Sequence, residues 1–160
     1  MGIGSFLKGI DSGSKWNNKA KNANIIDKYL NELPEGYYIF SDVKIPTTPI
    51  HIDHVVIGPN GIFSFESSDK MNNMVEYIAE NNALALMKYI SHKGISGNVL
   101  VKGVLAITNI NYKTRKNEKI KVLDKTLLNQ YITTAETKTK KEALAEIVHL
   151  LRKHCVKYSY

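Results

Sequence analysis

Ile52-Asp53-His54-Val55-Val56-Ile57-Gly58-Pro59-Asn60-Gly61-Ile62-Phe63, continued by Ser64-Phe65-Glu66, is the stretch whose reading decides the fold. Apolar residues alternate from Ile50 to Ile57 and again from Ile62 to Phe65. A Pro-Asn-Gly turn separates the two runs, so the spacing predicts a β-hairpin. Closing the turn on Gly58 and Gly61, or on Ile57 and Ile62, gives the same register, and in it Asp53 lies directly across from Glu66. A side-chain period of two adds His51 and Ser68 to that face. It sends His54 to the opposite, core-facing side, where a buried and satisfied imidazole is expected. Two like charges facing each other across a ladder are destabilising, so the pair needs a cause. A divalent cation between the carboxylates is one, since hard cations take carboxylate oxygens. The solvated polar face of an edge hairpin is another, and spacing alone does not choose between them. His51, Asp53 and Glu66 together would suit a transition metal, because imidazole is a ligand for such ions.

Outward from the hairpin, the chain reads as helix, three strands, helix, two strands and further helices. An apolar stripe of Trp16, Ala20, Ala23, Ile26, Leu30 and Leu33 predicts a first helix near Lys15 to Leu33, stopped by Pro34 and Gly36. Tyr37 to Ile45 reads as a strand, Met74 to Ile78 as a short strand, and Glu80 to Ser91 as a helix with His92 at its end. Val99 to Thr108 is long and apolar enough for a strand buried on both faces. Ile120 to Leu123 predicts a shorter strand, with Asp124 as N-cap of a helix near Leu127 to Ile132. Thr139-Lys140-Lys141-Glu142 has the form of a capping box. The helix it opens should dock Leu144, Ile147, Val148, Leu151 and Cys155 on the core. A mixed sheet flanked by helices, an α/β (α+β) fold, is the natural outcome.

The wording of the central region carries a resemblance. Leu33-Pro34-Glu35-Gly36-Tyr37-Tyr38, Asp42-Val43, the Ile52–Pro59 run, Gly61-Ile62-Phe63 and Glu66 resemble the nuclease-related domain, NERD. That family has the restriction-endonuclease-like PD-(D/E)XK fold. The resemblance spans roughly residues 22–133 and is densest from Leu33 to Glu66. It implies a metal-dependent phosphodiesterase site built from an acid on the first helix, the Asp of Ile-Asp-His, and a Glu-x-Lys on the next strand. Asp53 and Glu66 stand in place. The helix acid is replaced by Asn24, the strand lysine by Ser68, and the glutamine that ordinarily precedes Ile-Asp-His by His51. Carboxylates hold the metal that polarises the phosphate and lowers the pKa of the attacking water. The lysine offsets charge that builds on the phosphate oxygens, which serine does not do. Lys70 shares the face of Glu66 if the strand runs on, and Asp27 lies one helical turn from Asn24, so each is a candidate substitute.

Length and composition fit one soluble domain over residues 15–160, preceded by a flexible Gly- and Ser-rich segment, 1–14. No run approaches the ~20 apolar residues that span a bilayer. The N-terminus does not read as a signal peptide, and Phe6 stands where a myristoylation motif wants Ser or Thr. A single cysteine, Cys155, suits a reducing cytoplasm and a place in the core. The net charge of +7 is one-sided: residues 1–110 balance ten Lys against ten acids, while residues 111–160 carry twelve Lys and Arg against five acids. Lys113, Arg115, Lys116 and Lys119, with Lys138, Lys140 and Lys141 at the head of a basic C-terminal helix (138–157), form the footprint expected for DNA or RNA. Solvated surface lysines are the plainer reading of the same residues. His149 and His154 lie on different helix faces, and no P-loop, dinucleotide fingerprint, zinc ribbon or Ser-His-Asp set is present.

Three functions follow. The first is a nuclease-fold pseudoenzyme that binds nucleic acid or a partner, with weakened or lost cleavage. The second is an active Mg- or Mn-dependent nuclease using Asp53 and Glu66 with Lys70. The third is an interaction domain with no nucleic-acid role. The damaged motif favours the first.

Overall fold

The computed structural model describes residues 10–95, 97–109 and 119–156, with side chains from residue 18. Helix α1 (Ile10–Leu30) leads into strands β1 (Tyr38–Lys44), β2 (His51–Gly58) and β3 (Gly61–Ser68). Helix α2 (Asn73–His92) crosses to β4 (Val101–Ile107) and β5 (Lys121–Asp124). A 3₁₀ turn (Lys125–Leu127), α3 (Leu128–Thr134) and α4 (Lys141–His154) follow. The five strands form one sheet in chain order. The β1–β2 and β2–β3 pairs are antiparallel, and β3–β4 and β4–β5 are parallel. This is the mixed α+β sheet the sequence predicts, consistent with the restriction-endonuclease-like class.

Each face of the sheet has its own core. Ile26 and Leu30 of α1 and Leu128 and Ile132 of α3 pack with Val56, Phe63, Phe65, Val104 and Ala106 on one side. Leu86 and Ile90 of α2 and Leu144, Ile147 and Leu151 of α4 pack with Val55, Ile57 and Ile62 on the other. Cys155 is buried there, as its place on the helix stripe predicts. Trp16, expected on the α1 stripe, lies outside the described side chains.

The hairpin register is the predicted one: Gly58 pairs with Gly61, Ile57 with Ile62, and the ladder runs to His54 and Phe65. The Gly-Pro-Asn-Gly wording is structural. The Tyr37 ring lies so close to Gly58 that a Cβ there would meet it at 2.3 Å, and Gly61 has φ +124°. Asn60 accepts from the Tyr37 hydroxyl and donates to the Ala135 carbonyl at 2.8 Å, which ties the turn to the end of α3.

Two expectations are corrected. Met74 to Ile78 is not a strand but the first turns of α2, because the Asn72 side chain accepts the Val75 N–H and caps a continuous helix. Five residues of apolar run are too few for periodicity to tell strand from helix. The capping box at Thr139 does not form either. Lys140 is the N-cap, without a side-chain cap bond, and Thr139 Oγ1 instead donates to the Asn98 carbonyl at 3.0 Å. Asp124 does cap, accepting the Thr126 N–H at 3.0 Å, but it opens the 3₁₀ turn ahead of α3.

Candidate functional site

The β2–β3 ladder stops where the two acids should meet. Its last pair is His54 with Phe65, while β3 continues beside β4 through Glu66, Ser67 and Ser68. Beyond His54 the Asp53 carboxylate takes over the pairing, with Oδ2 accepting the Ser67 N–H at 2.9 Å. A matching irregularity lies in β1, where Asp42 has φ +50°. Phe40 and Val43 face one core although three residues apart, and so do Val55 and Ile52 opposite them. Strict alternation would put such residues on opposite faces. The one-residue slip corrects the expectation that His54 points away from Asp53: both line one cavity beside α1.

Into this gap α1 delivers Lys19. Its Nζ stands 3.1 Å from Glu66 Oε1 and 3.7 Å from Asp53 Oδ1. Asn82 of α2 donates to Glu66 Oε2 at 3.1 Å. Each oxygen of both carboxylates therefore faces a protein donor. The acids' side chains are 8% and 6% exposed, whereas that of Lys19 is 45% exposed, so a half-solvated cation closes over a buried acidic pair. Burial, then the neighbouring Asp53, pushes the Glu66 carboxyl up to about 7, against the pull of Lys19 and Asn82. Burial draws the Lys19 ammonium down, but Asp53 and Glu66 together outweigh it and hold it above its usual value.

A second polar group lines the same cavity, whose volume is ≈790 Å³. His54 is buried, its Nε2 lies 3.3 Å from Asp27 Oδ1, and its Nδ1 has no partner. Burial lowers its pKa against the opposing pull of Asp27 and Asp53. A neutral ring with the proton on Nε2 satisfies Asp27 and leaves only a lone pair bare. Asp27 also takes Asn31 Nδ2 at 3.1 Å. It is thus engaged with His54 and does not join Asp53 and Glu66. His51 turns to Asp42, with Nδ1 to Oδ1 at 2.9 Å. Among the described residues, no three His, Cys, Asp or Glu side chains gather to hold a metal ion, so the His51, Asp53, Glu66 set is not assembled.

The remaining predicted residues are scattered. Ser68 is buried and its Oγ accepts the Lys70 N–H at 3.0 Å, while Lys70 itself is exposed beyond the end of β3. Lys19, which sequence reasoning missed, is the cation that meets Glu66. Lys119 pairs with Glu80 at 3.5 Å. Lys138, Lys140 and Lys141 are exposed around the start of α4. They follow Thr137, which touches Gly61, and so lie at the turn end of the hairpin, away from the carboxylates. Lys113, Arg115 and Lys116 lie outside the described residues.

Asp53 and Glu66 are the residues that would hold a hard cation such as Mg²⁺ or Mn²⁺. Magnesium is commonly bound through one or two carboxylates, with waters and substrate phosphate completing its shell. Such an ion would supply phosphate polarisation and an acidified water. No helix among the described residues is long and apolar enough to cross a membrane. No curated protein and no solved structure matches the chain. A family model does match, from α1 through the β1–β3 meander into α2, beginning earlier and ending earlier than the resemblance read from the wording. Residues 18–82 match the nuclease-related domain, NERD, and the family resemblance carried by the Leu33–Glu66 wording is thereby borne out.

Proposed function

We propose that this nuclease-related domain is a nucleic-acid-binding module in which metal-dependent phosphodiester cleavage is weakened or lost. The observation that carries the reading is the Lys19 ammonium, seated between Asp53 and Glu66 where a divalent cation would bind in an active nuclease of this family. The ammonium neutralises part of the acidic pair, and a metal must displace it before binding. The helix acid that would strengthen the metal's hold is Asn24, which lines the cavity without a charge. Net charge of +7, concentrated after residue 110, supports a polyanionic partner, and the family match supports nucleic acid as that partner.

The test is fluorescence anisotropy with single- and double-stranded DNA and RNA oligonucleotides across a salt series, alongside cleavage assays with Mg²⁺ and Mn²⁺. Binding that weakens steeply as salt rises, with little or no cleavage, is the expected result. Rapid metal-dependent cleavage abolished by Asp53→Ala would replace this reading with an active nuclease. Absence of any nucleic-acid binding at low salt would leave a partner-binding domain.

A further inference from the structure

We propose that Lys19 is the phosphate-contacting cation of this site, supplied from α1 in place of the strand lysine that Ser68 does not provide. The inference rests on the nucleic-acid-binding reading and names the group that carries out one contact.

Three observations place the ammonium. Lys19 meets both carboxylates, at 3.1 Å and 3.7 Å. Its side chain is half exposed and lines the ≈790 Å³ cavity together with Asp53, Asn24 and Asn82, so the same amine reaches the buried acids and the open space. The strand position is closed to the role, because Ser68 is buried with its hydroxyl occupied by the Lys70 N–H and Lys70 is exposed beyond it.

The chemistry follows from charge and reach. Two carboxylates repel a phosphate, and a divalent cation on them attracts it. A cation held by Asp53 and Glu66 would repel the ammonium, whose flexible four-carbon stem lets it swing into the adjoining cavity. There it would donate to a non-bridging phosphate oxygen. In the structure the same group bridges the two acids. Lys19 thus has two alternative anionic partners, carboxylate and phosphate, and metal occupancy selects between them.

The experiment compares the full chain with Lys19→Met, Lys19→Arg and, as a charge-matched control on the same helix, Lys28→Met. Oligonucleotide affinity is measured by anisotropy across a salt series in Ca²⁺, which suppresses cleavage, and Mn²⁺ affinity is measured by calorimetry without nucleic acid. Removal of one phosphate contact lowers the slope of log affinity against log salt by about one. Lys19→Met is expected to lose that slope and several-fold in affinity at low salt, while Mn²⁺ binds more tightly than in the wild type. Lys19→Arg should restore the slope, and Lys28→Met should leave it unchanged. Circular dichroism checks the fold of each variant, and Lys19→Gln, which removes the charge but keeps a polar side chain, carries the same slope test should the methionine variant unfold. An unchanged slope in Lys19→Met, or a loss that Lys28→Met shares equally, overturns the proposal while leaving nucleic-acid binding intact. Wild-type protein that binds no oligonucleotide overturns the binding reading and this inference with it.

Discussion

Replacing Glu66 with glutamine should make the domain gain stability relative to the wild type as pH rises from acid to alkaline. Glu66 is buried beside Asp53, and its carboxyl rises from the ordinary 4.5 to about 7 in the folded chain. Between those values the folded state binds the proton that the unfolded state has released. Stability therefore falls as pH rises through this window and reaches its lowest contribution from this group above pH 7. At about 1.4 kcal/mol per pH unit, the penalty at pH 8 is roughly 3 kcal/mol, and at pH 5 it is less than about 1 kcal/mol. Glutamine carries no charge at either pH. It gives up the charge-assisted bond from Lys19, worth about 1–3 kcal/mol, which sets the baseline of the comparison. The informative quantity is the change between conditions: urea denaturation of variant and wild type should show the variant gaining about 2–3 kcal/mol relative to wild type from pH 5 to pH 8. A difference that stays constant within about 0.5 kcal/mol would refute the claim that Glu66 is ionised at a cost in the fold.

His54 should titrate below 6.5, because burial outweighs the pull of Asp27 and Asp53. Its contribution is then lost as pH falls below 6.5, the opposite slope to Glu66, and NMR of the imidazole nitrogens showing a midpoint at or above 6.5 would contradict it. Gly58→Ala drives a Cβ to 2.3 Å from the Tyr37 ring and should cost about 1–3 kcal/mol in urea denaturation. Asn60→Ala removes the clamp onto Ala135 and should cost about 1–2 kcal/mol, with a neutral result refuting a structural role for the turn wording. Lys70→Ala should leave both stability and Mn²⁺ affinity unchanged, since the residue is exposed and only its backbone N–H meets Ser68; a measurable loss of Mn²⁺ binding would return Lys70 to the site.

The legible parts of this chain were those whose cause is local. Gly58, Asn60 and Gly61 fix a turn, the turn fixes a register, and the alternating Val55-Val56-Ile57 and Ile62-Phe63 then select their faces. The pairing of Asp53 with Glu66 was legible as proximity but not as geometry. The slip at Asp42 and the end of the ladder at His54 have no signature in composition, because aspartate is common in turns and strand ends alike. Lys19 was invisible for a different reason. It lies 47 residues from Glu66 in the chain, and one lysine among several on α1 carries no mark of its partner. A helical projection held the missing signal: Lys19 and Asp27 are two turns apart, so a helix that lays Asp27 on the sheet brings Lys19 to it one strand over. The basic C-terminal third was legible as charge, but the place of Lys138, Lys140 and Lys141 at the turn end of the hairpin is set by how α4 docks through Leu144, Ile147 and Leu151.

Calorimetric titration of Mn²⁺ into the wild type, Asp53→Ala and Lys19→Met tests the central claim most directly. The account predicts weak binding by the wild type, none by Asp53→Ala, and clearly tighter binding by Lys19→Met, because the ammonium and the metal contend for the same two carboxylates. Tight wild-type binding that Lys19→Met leaves unchanged or weakens would contradict it, and would show that the lysine supports the metal site instead of competing for it.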